Sequence, residues 1–558
     1  MAQHKKASSN PMSKFWDLLL SERKEISSVY FYAILSGLVQ LTVPVGVQAI
    51  IGFSLGASMV TSIYVLIIVV VLGVFAVGVM QINQMRIIEK IQQRIFTRYA
   101  FVFADVIPKI DLREADSSYM PEKVNRFFDI VNLQKGLSKL LLDIPTAAIQ
   151  IVFGLLLLTF YHPVFVIFGL LLIIILVLVF RLTGKIGLQT SLKESSYKYS
   201  LVAWLEEVAR AIIPFKYHSG EELNLIKTDE RVTGYLQSRT AHFKVLLVQY
   251  KTLLAFKVLV TLVMLSAGTY LLLEQQINIG EFIAAEIVIL NVIGASEKLI
   301  GNIDSVYDVI TGLEKISMVT ESELEKRGTV PFSNEKKEGV NVELHNVSFE
   351  YPDGKKVLSN VNVSIPHNSL VTISGADGSG KTTLLKIISG IYPGSTGEIL
   401  INGIPVENYN TDALRQNMGV YLGKQGLFAG SVWENISLGR EEITFDAIMD
   451  IAERSGLKSF LRALPNGFDT KIDPAGKRLP SSIAQKILLL RAFANGSKLL
   501  LLEEPWPEED MHTKRAVLNY LTTVKSHTTI LIVTSDDEAI QRSDIHFLVE
   551  NGTLRSSK

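Results

Sequence analysis

Apolar positions along the first 300 residues gather into six segments, at about 29–53, 59–82, 144–161, 163–180, 254–273 and 282–300. Within them, residues 62–79 and 164–180 carry no charged side chain and approach or reach the length that crosses a bilayer as a helix. The connections alternate in kind. Ser54-Leu55-Gly56-Ala57, His162 and residues 274–281 are short and hold no lysine or arginine. The other side carries Lys5, Lys6, Lys14, Arg23 and Lys24, then the long stretches 83–143 and 181–253, both rich in basic residues. By the positive-inside tendency the N-terminus, both long connections and the C-terminal region are cytosolic.

Both long connections have helical periodicity, as in Glu89-Lys90-Ile91-Gln92-Gln93-Arg94-Ile95-Phe96. Each therefore extends its flanking helices out of the bilayer as a hairpin. With roughly 25 to 30 residues per arm at about 1.5 Å each, the tips lie some 40 Å below the membrane. The expected tips are the turn between Pro108 and Pro121 and the segment Pro214-Phe215-Lys216-Tyr217-His218-Ser219-Gly220. A cytosolic domain is expected to dock there; a self-contained helical bundle is the alternative.

Past the sixth span the texture changes. Residues 321–338 are charged, contain Gly328 and Pro331, and read as a linker between a membrane domain at 1–320 and a second domain at 339–558. Val340-Asn341-Val342-Glu343-Leu344 alternates as a strand does, and strands then interleave with helices as in an α/β domain.

Composition adds exclusions. Lysine plus arginine equals aspartate plus glutamate, 55 each, so no global charge points to a nucleic-acid partner. Cysteine is absent, which removes disulfides, thiolate zinc sites and cysteine nucleophiles. The first apolar run starts near Val29 without a small-residue cleavage site, so it is expected to stay as the first span rather than leave as a signal peptide. The nine histidines show no ligand spacing, and no metal beyond nucleotide-bound magnesium is expected.

The most specific motif follows the buried-strand pattern Leu370-Val371-Thr372-Ile373-Ser374. It reads Gly375-Ala376-Asp377-Gly378-Ser379-Gly380-Lys381-Thr382-Thr383 and runs into the helical Leu384-Leu385-Lys386-Ile387-Ile388. Strand, glycine-rich loop and helix together form the context of a Walker A motif. Its glycines let backbone N–H groups close around phosphates, Lys381 reaches the β and γ phosphates, and the Thr382 hydroxyl can ligate magnesium.

On these residues the domain resembles an ATP-binding cassette. Tyr351, in Val347-Ser348-Phe349-Glu350-Tyr351-Pro352, resembles the aromatic residue on which cassettes stack adenine. Gly397-Glu398-Ile399-Leu400-Ile401-Asn402-Gly403 and Gly430-Ser431-Val432-Trp433-Glu434-Asn435-Ile436 are similar to the stretches flanking the family's glutamine loop. Leu464-Pro465-Asn466-Gly467-Phe468-Asp469-Thr470 resembles the approach to its signature motif. With six spans and two cytosolic hairpins ahead, the whole resembles an exporter-type half-transporter. Arg126-Phe127-Phe128-Asp129-Ile130, Leu142-Asp143-Ile144-Pro145 and His162-Pro163 resemble permeases of bacterial toxin and peptide secretion systems. The N-terminal peptidase that some of those exporters carry is not expected in the residues before Val29.

Four departures from the family pattern stand out. Where the Leu-Ser-Gly-Gly-Gln signature falls, this sequence has Leu479-Pro480-Ser481-Ser482-Ile483, which lacks the glycines that allow close backbone approach to phosphate. Glu503 stands where the magnesium-orienting aspartate is usual, at the end of Leu499-Leu500-Leu501-Leu502; the extra methylene moves the carboxylate by about 1 Å, an error that can cost ~10²-fold in rate. Glu504 matches the general base that activates water. Ser535 replaces the switch histidine and is never cationic, and Gly423 takes the place of the glutamine, with Gln425 two residues on. Asp510 alone remains of the usual D-loop.

The resemblance implies a dimer of half-transporters, with two ATP and magnesium sites shared between cassettes. Whether the partner is identical or different stays open. Either pairing leaves both composite sites compromised, so ATP is expected to bind and to turn over slowly or not at all. The alternative is a regulatory subunit that uses ATP only as a ligand. The expected location is a bacterial inner membrane, with a possible periplasmic adaptor; the cargo is not legible. Within the spans, Glu286 is either a pathway residue or a group that snorkels or pairs within the bundle. Gln48 and Asn291 read as interhelical hydrogen-bonding groups and Pro44 as a packing kink.

Overall fold

The computed structural model describes residues 11–56, 60–217, 220–333, 338–392, 396–423, 425–494, 496–506 and 511–557. The chain divides into two compact units, Met1–Lys109 with Ser118–Ser322, and Ile110–Ser117 with Glu323–Lys558.

In the first unit, among the described residues, six helices are long and apolar enough to cross a membrane. The helices Val60–Val106, Val164–Arg210 and Glu221–Leu273 run 47, 47 and 53 residues. At about 1.5 Å per residue each extends ~70–80 Å, more than twice the ~30 Å hydrocarbon core, so the spans continue as rods outside it. The first span, Arg23–Leu55, is one apolar run as hydropathy predicts, with a turn at Leu41 between the helices Arg23–Gln40 and Thr42–Leu55. Pro44 sits in the first turn of the second, where its missing N–H leaves no hydrogen bond unmade.

Helices Asp129–Tyr161 and Ile279–Gly301 pack along each other, and Val164–Arg210 packs along Glu221–Leu273. Gly154 allows the first contact, because a Cβ there would lie 2.6 Å from Val292 Cγ2. Polar side chains join helices: Tyr161 donates to Gln48 Oε1 at 3.0 Å, and Gln150 Nε2 donates to Gln40 Oε1 at 2.7 Å. Glu286 is half-buried and makes no hydrogen bond or ion pair among the described residues; Asn291 is exposed.

The second unit is built on two main sheets. Strands β1 (Val342–Glu350), β2 (Lys356–Ile365), β3 (Leu370–Gly375), β4 (Thr396–Ile401), β5 (Ile404–Pro405) and β6 (Met418–Tyr421) come first. Then follow β7 (Gly430–Ser431), β8 (Lys471–Ile472), β9 (Leu499–Glu503), β10 (Thr529–Val533), β11 (Ile545–Glu550) and β12 (Thr553–Ser556). An antiparallel sheet runs β2-β1-β4-β5, and a mainly parallel one runs β12-β11-β3-β10-β9-β6. The continuous apolar runs of β3, β9 and β10 are buried on both faces, which is what a covered parallel sheet requires.

The first predicted hairpin tip, Ile110–Ser117, is part of this unit. Asp111 N–H donates to the Glu323 carbonyl at 2.8 Å, Glu323 N–H donates to Glu114 Oε2 at 2.7 Å, and the Tyr392 hydroxyl donates to Asp116. Arg113 grips Asp111 through Nε and Nη2 at 3.1 and 2.9 Å, and these bonds hold the Asp111 carboxyl below its ordinary range. At the second tip the chain forms the short helix Ile212–Tyr217; His218 and Ser219 lie outside the described residues.

Candidate nucleotide site

Strand β3 delivers the chain to Gly375, and the helix Lys381–Ile388 begins six residues on. Gly375, Gly378 and Gly380 take φ of +147°, +76° and +107°, a region costly to any residue with a Cβ. Space makes the same demand at the two ends of the loop: a Cβ on Gly375 would lie 2.5 Å from the Val549 carbonyl oxygen, and one on Gly380 2.8 Å from Val357 Cγ1. Ala376, Asp377 and Gly378 are exposed at its crest. Lys381 Nζ folds over the loop and donates to the carbonyls of Gly375 and Ala376 at 2.7 and 2.8 Å. The Ser379 hydroxyl is buried in the loop with no partner among the described residues. A positively charged nest with an unsatisfied hydroxyl suits a phosphate chain.

Thr382 and Glu503, 121 residues apart in sequence, meet: the Thr382 hydroxyl donates to Glu503 Oε1. The second Glu503 oxygen accepts the Gly423 N–H at 3.1 Å. Two oxygens of the kind that ligate magnesium thus converge beside the loop, and the position expected to hold glutamine contributes only a backbone donor. Gln425 turns the other way, its Nε2 donating to the Val420 carbonyl at 3.1 Å.

Glu504 follows directly at φ +42°, a left-handed conformation that costs a non-glycine residue about 1 kcal/mol or more. Its N–H is held by the Val533 carbonyl at 2.9 Å. Its carboxylate accepts from the Thr534 hydroxyl at 3.0 Å and from the Ser535 N–H at 3.1 Å. The Thr534 oxygen in turn accepts the Trp506 indole N–H at 3.0 Å. Thr534 and Trp506 went unnoticed in the sequence, because nothing local distinguishes them. Asp510 lies outside the described residues.

Tyr351, directly after β1, is half-buried. Its hydroxyl is 2.9 Å from Thr383 Oγ1, and its ring meets Phe349 and Tyr392 edge-on at 5.0 and 5.8 Å. That hydrogen bond places the phenol beside the first turn of the phosphate-loop helix. At the signature position, Pro480 precedes the helix Ser481–Phe493 and gives it no side-chain cap, while Leu479 and Ile483 pack into the apolar cluster below. The other end of this helix is anchored by Arg491, which donates to the carbonyls of Asn435 and Gly426 at 2.6 and 3.2 Å; burial lowers its pKa.

Residues 28–295 match the ABC transporter transmembrane region family, and residues 358–506 match the ABC transporter family. The chain thus carries the transmembrane region and the cassette of an ABC transporter, in an integral multi-pass protein. It is 28% identical over 293 residues to a probable ABC transporter ATP-binding/permease protein of Haemophilus influenzae, covering 52% of this chain and 53% of that one. It is 29% identical over 339 residues to the uncharacterized ABC transporter ATP-binding protein YfiB of Bacillus subtilis, covering 60% and 58%. To the mitochondrial iron-sulfur clusters transporter ATM1 of Saccharomyces cerevisiae it is 30% identical over 217 residues, 38% of this chain and 31% of that protein. The chain therefore spans about half the length, or less, of these curated relatives. A solved bacterial Atm1-family ABC exporter with ATP bound superposes with a TM-score of 0.82 at 18% identity, over 95% of this chain and 94% of that one, which establishes the fold.

Proposed function

We propose that this chain works as one half of a dimeric, ATP-dependent exporter, in which ATP binds at Gly375–Thr383 and is hydrolysed slowly or not at all. The nest of residues 375–383, with Lys381 folded across it, is the observation that carries the reading. Lys381 would exchange its two carbonyl partners for the β and γ phosphates, and Tyr351 would offer its ring to adenine. Thr382 and Glu503 would hold magnesium, which when bound draws charge from the phosphates. Glu504 is the group positioned to take a proton from water.

Slow turnover is supported by what surrounds Glu504. Its carboxylate is engaged by Thr534 and Ser535, and Ser535 supplies a backbone N–H where a cationic side chain would steady the γ-phosphate. A partner's nucleotide would meet Pro480-Ser481-Ser482, a helix start without glycine. The same two features support the second reading, a regulatory subunit that senses ATP without transporting. The partner half, identical or different, the bacterial inner membrane and a periplasmic adaptor belong to this proposal. A polypeptide is the first cargo class to test, on the likeness of 126–130 and 142–145 to secretion permeases.

The test uses the full chain in detergent. Labelled ATP should bind saturably, Lys381→Ala should abolish binding, and turnover should stay near the level of that variant. Brisk hydrolysis lost in Lys381→Ala would overturn the slow-turnover reading, and absence of saturable binding would overturn the whole. Uptake into vesicles with ATP, absent with a non-hydrolysable analogue, separates transport from sensing.

A further inference from the structure

The membrane unit contains a polar cavity of about 170 Å³ bounded by four of its helices, Asp129–Tyr161, Val164–Arg210, Glu221–Leu273 and Ile303–Thr320. It lies in the stretches that the charge pattern places in the cytosol.

Its charged wall comprises Asp129, Glu194 and Asp308 against Lys198 and Arg239, with His242. Most of these groups are already engaged. Lys198 Nζ is 3.6 Å from Asp129 Oδ1, and Arg239 Nη1 is 3.2 Å from Glu194 Oε1. Asp129 also accepts from the Tyr199 hydroxyl at 2.5 Å and from Asn132 Nδ2 at 3.3 Å. His242 is bound on both ring nitrogens, to Thr190 Oγ1 at 2.9 Å and to Asp304 Oδ1 at 3.1 Å. Ser191 and Thr311 bond each other at 2.9 Å.

Two wall groups remain. Asp308, which lines the cavity and is exposed, makes no hydrogen bond or ion pair among the described residues. Ser195, only 7% exposed, has a hydroxyl with no partner among the described residues. A buried hydroxyl is costly to leave unmatched, and its place on a polar wall shows where a polar guest is received. Asp129 and Glu194 face Lys198 and Arg239, and Asp308 is the wall carboxylate left without a cationic partner among the described residues. The matching guest is cationic, small and rich in donors. No group of three or more histidine, aspartate or glutamate side chains among the described residues could hold a metal ion. An anion would find both cations already neutralised.

We infer that this cavity binds the primary ammonium group of a small organic amine, which donates to the Asp308 carboxylate and the Ser195 hydroxyl. An ammonium has three donors on a compact centre, enough to serve both acceptors at once. The binding needs no nucleotide, so it stands or falls apart from the ATP reading.

The test titrates 1,4-diaminobutane into the full chain in lipid nanodiscs, without nucleotide, by calorimetry. Saturable binding is expected, weakened roughly tenfold or more by Asp308→Asn and several-fold by Ser195→Ala, and unchanged in Lys381→Ala. The neutral isostere 1,4-butanediol and the dianion succinate should not compete. Asp308 is exposed, so its amide variant keeps the fold, which an unchanged unfolding temperature verifies. A free amine and the N-terminus of a peptide share this chemistry. Competition by an unblocked tripeptide amide, but not its acetylated form, assigns the site to peptides; competition by neither assigns it to small amines. Failure of the diamine to saturate, wild-type affinity in Asp308→Asn, or succinate binding as tightly would overturn the inference.

Discussion

The Thr534 hydroxyl donates to the Glu504 carboxylate at 3.0 Å while its oxygen accepts the Trp506 indole N–H at 3.0 Å, so the candidate base is held by a side chain that is itself held. With the Ser535 N–H on its other oxygen at 3.1 Å, both Glu504 oxygens are occupied by donors that an attacking water would have to displace.

Restoring single residues should therefore fail where restoring the set succeeds. Ser535→His alone is expected to leave turnover at the wild-type level. Combined with a glycine-bearing Leu-Ser-Gly-Gly-Gln signature at 479–483, it should raise phosphate release by about 10²-fold, the scale of regaining a transition-state donor. Phosphate release from the full chain, measured for both variants, decides the point.

Gly380→Ala places a methyl 2.8 Å from Val357 Cγ1 at a φ of +107°. The expected cost is roughly 1–3 kcal/mol of local strain, relieved by a rearranged loop. Saturable ATP binding should disappear while the six spans still insert, which protease mapping of membrane vesicles would report.

Tyr392→Phe removes the hydroxyl that reaches Asp116 and keeps the ring that packs against Phe349 and Tyr351. A hydrogen bond to a charged group contributes about 1.5–3 kcal/mol, so the segment Ile110–Ser117 should loosen without global unfolding. Hydrogen exchange should quicken in that segment and stay unchanged in β3 and β10.

Burial raises the Tyr520 hydroxyl from its ordinary value of 10.0 to about 12. The folded form keeps its proton where the unfolded chain loses it, so the stability is fully present below pH 10 and is lost as pH rises toward 12. The slope should be about 1.4 kcal/mol per pH unit across that window. Chemical unfolding monitored between those pH values should show the decline, and Tyr520→Phe should flatten it.

Local pattern in the sequence was enough for the spans, the rods beyond them and the glycine-rich loop with its helix. A run of apolar residues satisfies its backbone within one helix, and the turn at 375–380 demands glycine whatever lies around it. Which strands neighbour β3, and that Thr382 meets Glu503 across 121 residues, were settled only when the chain closed on itself. The same holds for Tyr392 with Asp116, 276 positions apart, and for the cavity around Ser195 and Asp308. Such partnerships depend on side chains brought together by packing. No window of neighbouring residues encodes them, since the energy that selects them is gained only once distant helices and strands have excluded water between them.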